Sequence, residues 1–326
     1  MKKIHFFFLP SLVAGLAYLL ATGTASAQET IYVTNNGSDF PGASSVEEIS
    51  VAANGTATYT TFTTQDLNEP TGIAFNSAGD VFVANNGSGT IAEFSPGGSF
   101  IGNYATGQAN PRGLVFDSIG NLYVADQGSG KVVEIPFGSP MGTTGTVVAQ
   151  NLGAANGLAM YNGTLYVTDG NDSTVDTISG GIATPIATST QGVVYPNGIA
   201  FDSSGHMFLI NQGAAPTISE YDSHGNPIKT VTSLSASLNP KSIALDSAGD
   251  YYVTDYNQDE VTEYNSAGVL IKTFNTAGDL FNPDFIAVLP GSNNAVPEPS
   301  VYALLAASMG LVYFLSRNKL VLAEAA

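Results

Sequence analysis

Residues 70–94 read PTGIAFNSAGDVFVANNGSGTIAEF. Three short apolar runs, 72–75, 81–84 and 91–94, are divided by Asn-Ser-Ala-Gly-Asp at 76–80 and by Gly-Ser-Gly at 87–89. Runs of this length are too short for helices and suit strands. The dividers are turn chemistry, since Asn, Ser and Asp bond their own backbone and Gly accepts φ > 0. The stretch is therefore a three-strand antiparallel meander. Its first run is apolar at successive positions, as a strand buried on both faces should be.

Outward from this stretch, the chain repeats it. PRGLVFDSIGNLYVADQGSGKVVEI (111–135), ANGLAMYNGTLYVTDGNDSTVDTI (155–178), PNGIAFDSSGHMFLINQGAAPTISEY (196–221) and PKSIALDSAGDYYVTDYNQDEVTEY (240–264) are the same meander. The residue that leads each first strand is Thr71, Arg112, Asn156, Asn197, Lys241 and, in NPDFIAVLP, Asp284, at spacings of 41, 44, 41, 44 and 43 residues. That period fits a four-stranded propeller blade, a fourth strand following each window. The sixth repeat is split. DFIAV (284–288) supplies only a first strand, while IYVTN (31–35), VEEI (46–49) and ATYTTF (57–62) near the other end supply the second, third and fourth. The expected fold is all-β, a six-bladed propeller over 28–290 whose last blade is built from both ends of the chain, leaving no open sheet edge. A parallel β-helix has too short a period. Glycine at the start of most first strands is expected where inner strands crowd the axis.

The repeat resembles the NHL type, with its Pro-x-Gly-Ile-Ala-Phe-Asp, glycine turn and Leu-Tyr-Val-Ala-Asp, over about residues 28–290. The chain has no tryptophan, which sets it apart from WD40 repeats.

Both ends carry addresses. Lys2 and Lys3, an apolar stretch at 6–20 and Ala25-Ser26-Ala27 make residues 1–27 a secretory signal peptide, with the mature chain starting at Gln28. The chain has no cysteine, so packing rather than disulfides must hold it. At the far end a linker, 291–296, leads to Pro297-Glu298-Pro299, an apolar run at 301–316, then Arg317 and Lys319. The expectation is a transmembrane helix over 301–316, marginal in length for a hydrocarbon core of ~30 Å, its end held in the cytoplasm by the basic residues. The Val-Pro-Glu-Pro-Ser, apolar run and basic cluster resemble the PEP-CTERM sorting signal of Gram-negative bacteria. The resemblance makes 297–326 a sorting segment, with Pro297, Glu298, Pro299 and Arg317 as its signal and an exosortase as partner. It implies cutting near Pro-Glu-Pro after export and a final place in the cell envelope or outside the cell.

Net charge is −18, and −20 with 5 basic and 25 acidic residues once both end segments are set aside. Such a surface repels nucleic acid and anionic lipid, so neither is an expected partner. Neutral glycans, cationic partners and proteins remain open.

Two sets of side chains should ring one end of the axial channel. The strand-start residues Thr71, Arg112, Asn156, Asn197, Lys241 and Asp284 differ from blade to blade and are the ligand-binding candidates. Arg112 and Lys241 bring scarce positive charge there, in blades across the ring from each other, which points to an anionic or polyhydroxyl ligand. The residues ending the second strands, Asn35, Asn85, Asp126, Asp169, Asn211 and Asp255, read as turn caps. The recurrent third-strand acids Glu48, Glu93, Glu134, Glu220 and Glu263 read as a solvated wall. No catalytic residue is assigned. His5 lies in the signal peptide and His206 and His224 lie by turns, so no Cys/His cluster or Ser-His pair assembles. DYNQDE at 255–260 lacks the glycine and glutamate of a calcium loop and reads as an ordinary turn. Two functions follow: an exported scaffold binding a protein or glycan without a cofactor, or a metal-dependent hydrolase. The second rests on a resemblance to six-bladed lactonases of the gluconolactonase type, which implies a divalent cation at the channel with Asn156, Asn197 and Asp284 as ligands.

Overall fold

The computed structural model describes residues 29–37, 44–52, 54–274 and 280–289. They form six four-stranded antiparallel sheets. Blade 1 contains Pro70–Phe75, Val81–Asn85, Thr90–Phe94 and Phe100–Thr106, from axis to rim. Blades 2 to 5 repeat this order behind the inner strands Pro111–Phe116, Ala155–Tyr161, Pro196–Phe201 and Pro240–Leu245. Blade 6 is the split one: Pro283–Leu289 is innermost, followed by Glu29–Asn35, Ser45–Val51 and Ala57–Thr63. Ile31 pairs with Val288 and Val33 with Ile286, so the two ends of the chain are hydrogen-bonded into one sheet. The expected signal peptide, the linker 291–296, Pro297-Glu298-Pro299 and the expected helix at 301–316 lie outside the described residues. Among those described, no helix is long and apolar enough to cross a membrane.

Burial explains the strand types. The second strand Val81–Asn85 is buried throughout, because each blade packs on a neighbour through both faces, whereas the rim strand Pro227–Ser233 is mostly exposed. The core is divided into six apolar clusters, one between each pair of adjacent blades. The cluster between blades 6 and 1 centres on Tyr32, whose ring meets Phe62 and Phe75 edge-on at 5.1 and 5.0 Å. Glycine at the inner strands is a matter of space. A Cβ on Gly72 would stand 1.8 Å from the Arg112 carbonyl oxygen, and one on Gly157 2.4 Å from that of Asn197. Each strand runs opposite to the last, so all six inner strands start at one face, the mouth, and end at the other.

Candidate functional site

The six strand-start residues gather around the axis at the mouth, but they do not act as one set. Thr71 is 1% exposed and its hydroxyl donates to the Pro111 carbonyl at 2.7 Å, which makes it a joint between blades 1 and 2. Arg112 reaches past blade 1 to blade 6, where its Nη2 bonds Asp284 Oδ1 at 2.8 Å. Lys241 stands on the face of Tyr256, Nζ 5.3 Å from the ring centroid. Burial pushes its ammonium below the ordinary lysine value, Asp284 opposes that shift, and Arg112 adds to it. Among the described residues no carboxylate forms an ion pair with Lys241, and Asp284, whose charge acts on it, is already bridged by Arg112.

The two asparagines differ in a way the repeat explains. Asn156 donates from Nδ2 to the Pro196 carbonyl at 3.2 Å, and its Oδ1 accepts from Gln127 Nε2 at 2.6 Å. Asn197 donates to Gln212 Oε1 at 3.4 Å, and its Oδ1 is buried with no partner. That orientation is forced. Gln212 Nε2 donates to the Pro240 carbonyl at 2.6 Å and to Asn239 Oδ1 at 3.0 Å. A carbonyl only accepts, so Gln212 must turn its oxygen toward Asn197, which must answer with its NH₂. The residue equivalent to Gln127 in blade 3 is Gly170, which has no side chain to reach the next blade's asparagine. The guanidinium Nε of Arg112 is a second buried, unpartnered polar atom at this mouth.

The strand-end residues are structural, as their residue types implied. Asp126 Oδ1 accepts from the backbone of Ala109 and Asn110, each at 2.9 Å, and Asp169 accepts from Gly153 and Ala154 at 2.6 and 2.8 Å. Asn85, Asn211, Asp255 and Asn35 do the same for Asn68, Val194, Asn239 and Phe281. Each clips the loop entering its blade to the second strand, and each is at most 4% exposed.

Sequence reasoning missed the position after these clips, occupied by Asn36, Asn86, Gln127, Gly170, Gln212 and Tyr256. Gln127, Gln212 and Tyr256 build the second tier of the mouth. The signal was present, since this position varies from blade to blade as the strand-start position does.

The donor set does not suit a hard divalent cation, which takes six to eight oxygens and several negative charges. Asp284 is bridged by Arg112 through Oδ1, Asn156 Oδ1 is occupied by Gln127, and Arg112 and Lys241 bring positive charge to the same ring of strand starts. Among the described residues no group of three His, Cys, Asp or Glu side chains is arranged to hold a metal.

At the opposite face Glu220 departs from the solvated wall expected of the third-strand acids, while Glu48, Glu93, Glu134 and Glu263 are partly exposed. Glu220 is 6% exposed and sits between His206 Nδ1 at 3.1 Å and Lys229 Nζ at 3.2 Å, with Asp202 3.3 Å from the same His206 nitrogen. These groups line a cleft of about 420 Å³ between blades 4 and 5. Glu93 and Glu263 are pushed above the usual carboxylate range, chiefly by burial. The reason is their place on the third strand: Glu93, Glu220 and Glu263 pair across it with Phe82, Phe208 and Tyr252, which shield them from water.

Residues 67–94, the meander of blade 1, match the NHL repeat family. No curated protein matches the sequence. Among solved structures, a chain of a nidogen/laminin complex superposes with a TM-score of 0.63 at 16% identity, covering 80% of this chain and 98% of that one. The virginiamycin B lyase of Staphylococcus aureus gives 0.53 at 14% identity over 79% and 88% of the two chains. A streptogramin B lyase gives 0.52 at 14% identity over 79% and 91%. At these identities the likeness is one of fold alone, shared by a member of a binding complex and by enzymes, and the chain is an all-β six-bladed propeller with an NHL repeat in its first blade.

Proposed function

We propose that this protein is an exported, envelope- or matrix-sorted propeller that binds a glycan or protein partner at the mouth of its axis, without catalysing a reaction. One observation carries the reading. The mouth keeps hydrogen-bonding capacity that the fold does not use: Lys241 without a carboxylate and Asn197 with a bare oxygen, on adjacent inner strands. Buried polar atoms are nearly always partnered, so such a place is where a ligand's polar groups are accommodated. The metal-dependent hydrolase reading has no support from the donor set. Export and sorting rest on the two ends of the sequence, with exosortase processing of Pro297-Glu298-Pro299 as the proposed last step.

The binding test is a panel of neutral and acidic glycans and of envelope proteins, probed with the full chain and with a Lys241→Met, Asn197→Ala variant. The wild-type chain is expected to select members of the panel, and the variant to lose at least tenfold in affinity. Equal binding by both proteins would place the partner elsewhere. The sorting test is intact mass of protein from the native host with and without its exosortase. Retention of 301–317 in both would reduce the tail to a plain anchor.

A further inference from the structure

The face opposite the mouth has its own pattern. It carries the turns between first and second and between third and fourth strands. Among the described residues twelve large apolar side chains are exposed, and ten lie on the half of the disc nearer this face; Val194 and Tyr195, at the mouth, are the other two. They are spread around the rim: Ile101 in blade 1 is 50% exposed, Phe137 in blade 2 75%, Ile182 in blade 3 65%, Ile228 in blade 4 47% and Val269 in blade 5 60%. Blade 6 adds none of them. It is instead where the chain departs, since Pro283–Leu289 runs from the mouth and ends at this face. The apolar run 301–316 follows after eleven residues, 290–300, a reach of at most about 40 Å.

We infer that this face docks on a zwitterionic lipid bilayer, so that the propeller stands on the membrane with its mouth turned outward. The inference rests on reading 301–316 as a membrane segment and concerns the chain before that segment is removed. Exposed apolar residues scattered singly need no explanation, but a ring of them on one face does. Five blades contribute side by side around the disc, and only a flat partner meets all five at once. A peptide segment would cover one or two blades. The chain's exit from blade 6 on the same side holds the face toward the bilayer that receives the tail. Charge selects the lipid. Asp117, Asp202 and Asp246 occupy first turns on this face, so an anionic surface is repelled, whereas zwitterionic headgroups offer cationic groups beside those carboxylates.

The sequence has no tryptophan, so a single introduced one is a clean reporter. Full-length Phe137→Trp and Tyr195→Trp proteins, both aromatic exchanges at exposed sites, are mixed with phosphatidylcholine vesicles and floated on a density gradient. The expected result is that both proteins float, that emission from position 137 shifts to the blue and is quenched by brominated lipid, and that emission from position 195 is unchanged. Flotation with no change at 137, or with equal change at both positions, overturns the inference and leaves the tail reading standing. Failure to float overturns both. A lipid-free blue shift at 137 that grows with protein concentration would show a second copy on the face and also overturns it. So would an equal blue shift at 137 on phosphatidylglycerol vesicles.

Discussion

At Asp126 a single oxygen does most of what a blade requires of its strand-end residue. Oδ1 accepts both loop amides, and Oδ2 takes only the Ser129 hydroxyl at 2.7 Å. Asparagine keeps the first oxygen and can donate to the serine, as Asn85 Nδ2 donates to the Thr90 hydroxyl at 3.3 Å. Asp126→Asn should therefore stay within about 0.5 kcal/mol of wild type, while Asp126→Ala removes the acceptor of two loop amides and, at about 0.5–1.5 kcal/mol for each lost bond, should cost about 1–3 kcal/mol. Urea unfolding of the three proteins decides this, and equal losses in both variants would mean that the carboxylate charge matters more than the clip. Glycines divide by the same physical test. Gly72 has the Arg112 carbonyl where a Cβ would go, whereas Gly97 has nothing within 4 Å and an ordinary φ. Gly72→Ala should cost at least about 1–3 kcal/mol by overpacking. Gly97→Ala should be neutral or stabilise by up to about 1 kcal/mol through the unfolded chain. Similar midpoints for these two variants would contradict the crowding at the axis.

At the scale of the element, the strand Glu29–Asn35 closes the ring and begins on an unusual carboxyl group. Glu29 is held up at about 7 by burial, with Asp246 and Glu263 repelling its charge and the Tyr252 hydroxyl, which bonds it, opposing the shift. Lys272 pairs with Glu263 from the next strand and offsets part of the rise in the Glu263 carboxyl's own value. The sign follows from linkage. Below about pH 4.5 the group is protonated in both states; as pH rises toward 7 the unfolded chain ionises first, so the folded state binds more protons and loses stability. Above about pH 7 the loss is complete, on the order of 1 kcal/mol once solvent screening at this half-buried site is allowed for. Glu263 and Asp250, also raised, act in the same direction. Urea midpoints should fall between pH 5 and pH 7.5, and Glu29→Gln should flatten that slope. A variant with an unchanged slope would remove Glu29 from the account.

For the whole molecule the decisive feature is that both ends of the chain share blade 6. Deleting residues 29–63 from the full chain takes three of its four strands, bares Pro283–Leu289 and exposes the apolar clusters on either side. Because each blade is stabilised mainly by its neighbours, the loss should spread around the ring. The truncated protein is expected to unfold at a clearly lower urea midpoint, with slow native amide exchange reduced in blade 1 and blade 5 alike. An unchanged, cooperative midpoint would mean that the N-terminal strands are a dispensable arm.

How much of this was legible in the sequence depends on whether the physics involved is local. The blade count, the turns, the axial glycines and the split closing blade could all be read from residues, because each repeat states its strands and turns within about 25 residues and the leftover pieces at the two ends complement each other. The clipping role of Asp126 and its equivalents was legible for the same reason, since those side chains bond backbone within their own blade. The site was legible only as a set of positions. That Arg112 meets Asp284, 172 residues away, and leaves Lys241 unbridged depends on distances across an axis that no repeat encodes. That Asn197 keeps a bare oxygen depends on an amide chain running through Gln212 and on a missing side chain at Gly170. The burial of Glu220 and the apolar rim beside the departing chain were likewise decided in three dimensions. Periodicity tells which way a side chain points, but only the packed ring sets which neighbour it finds there and how much water reaches it.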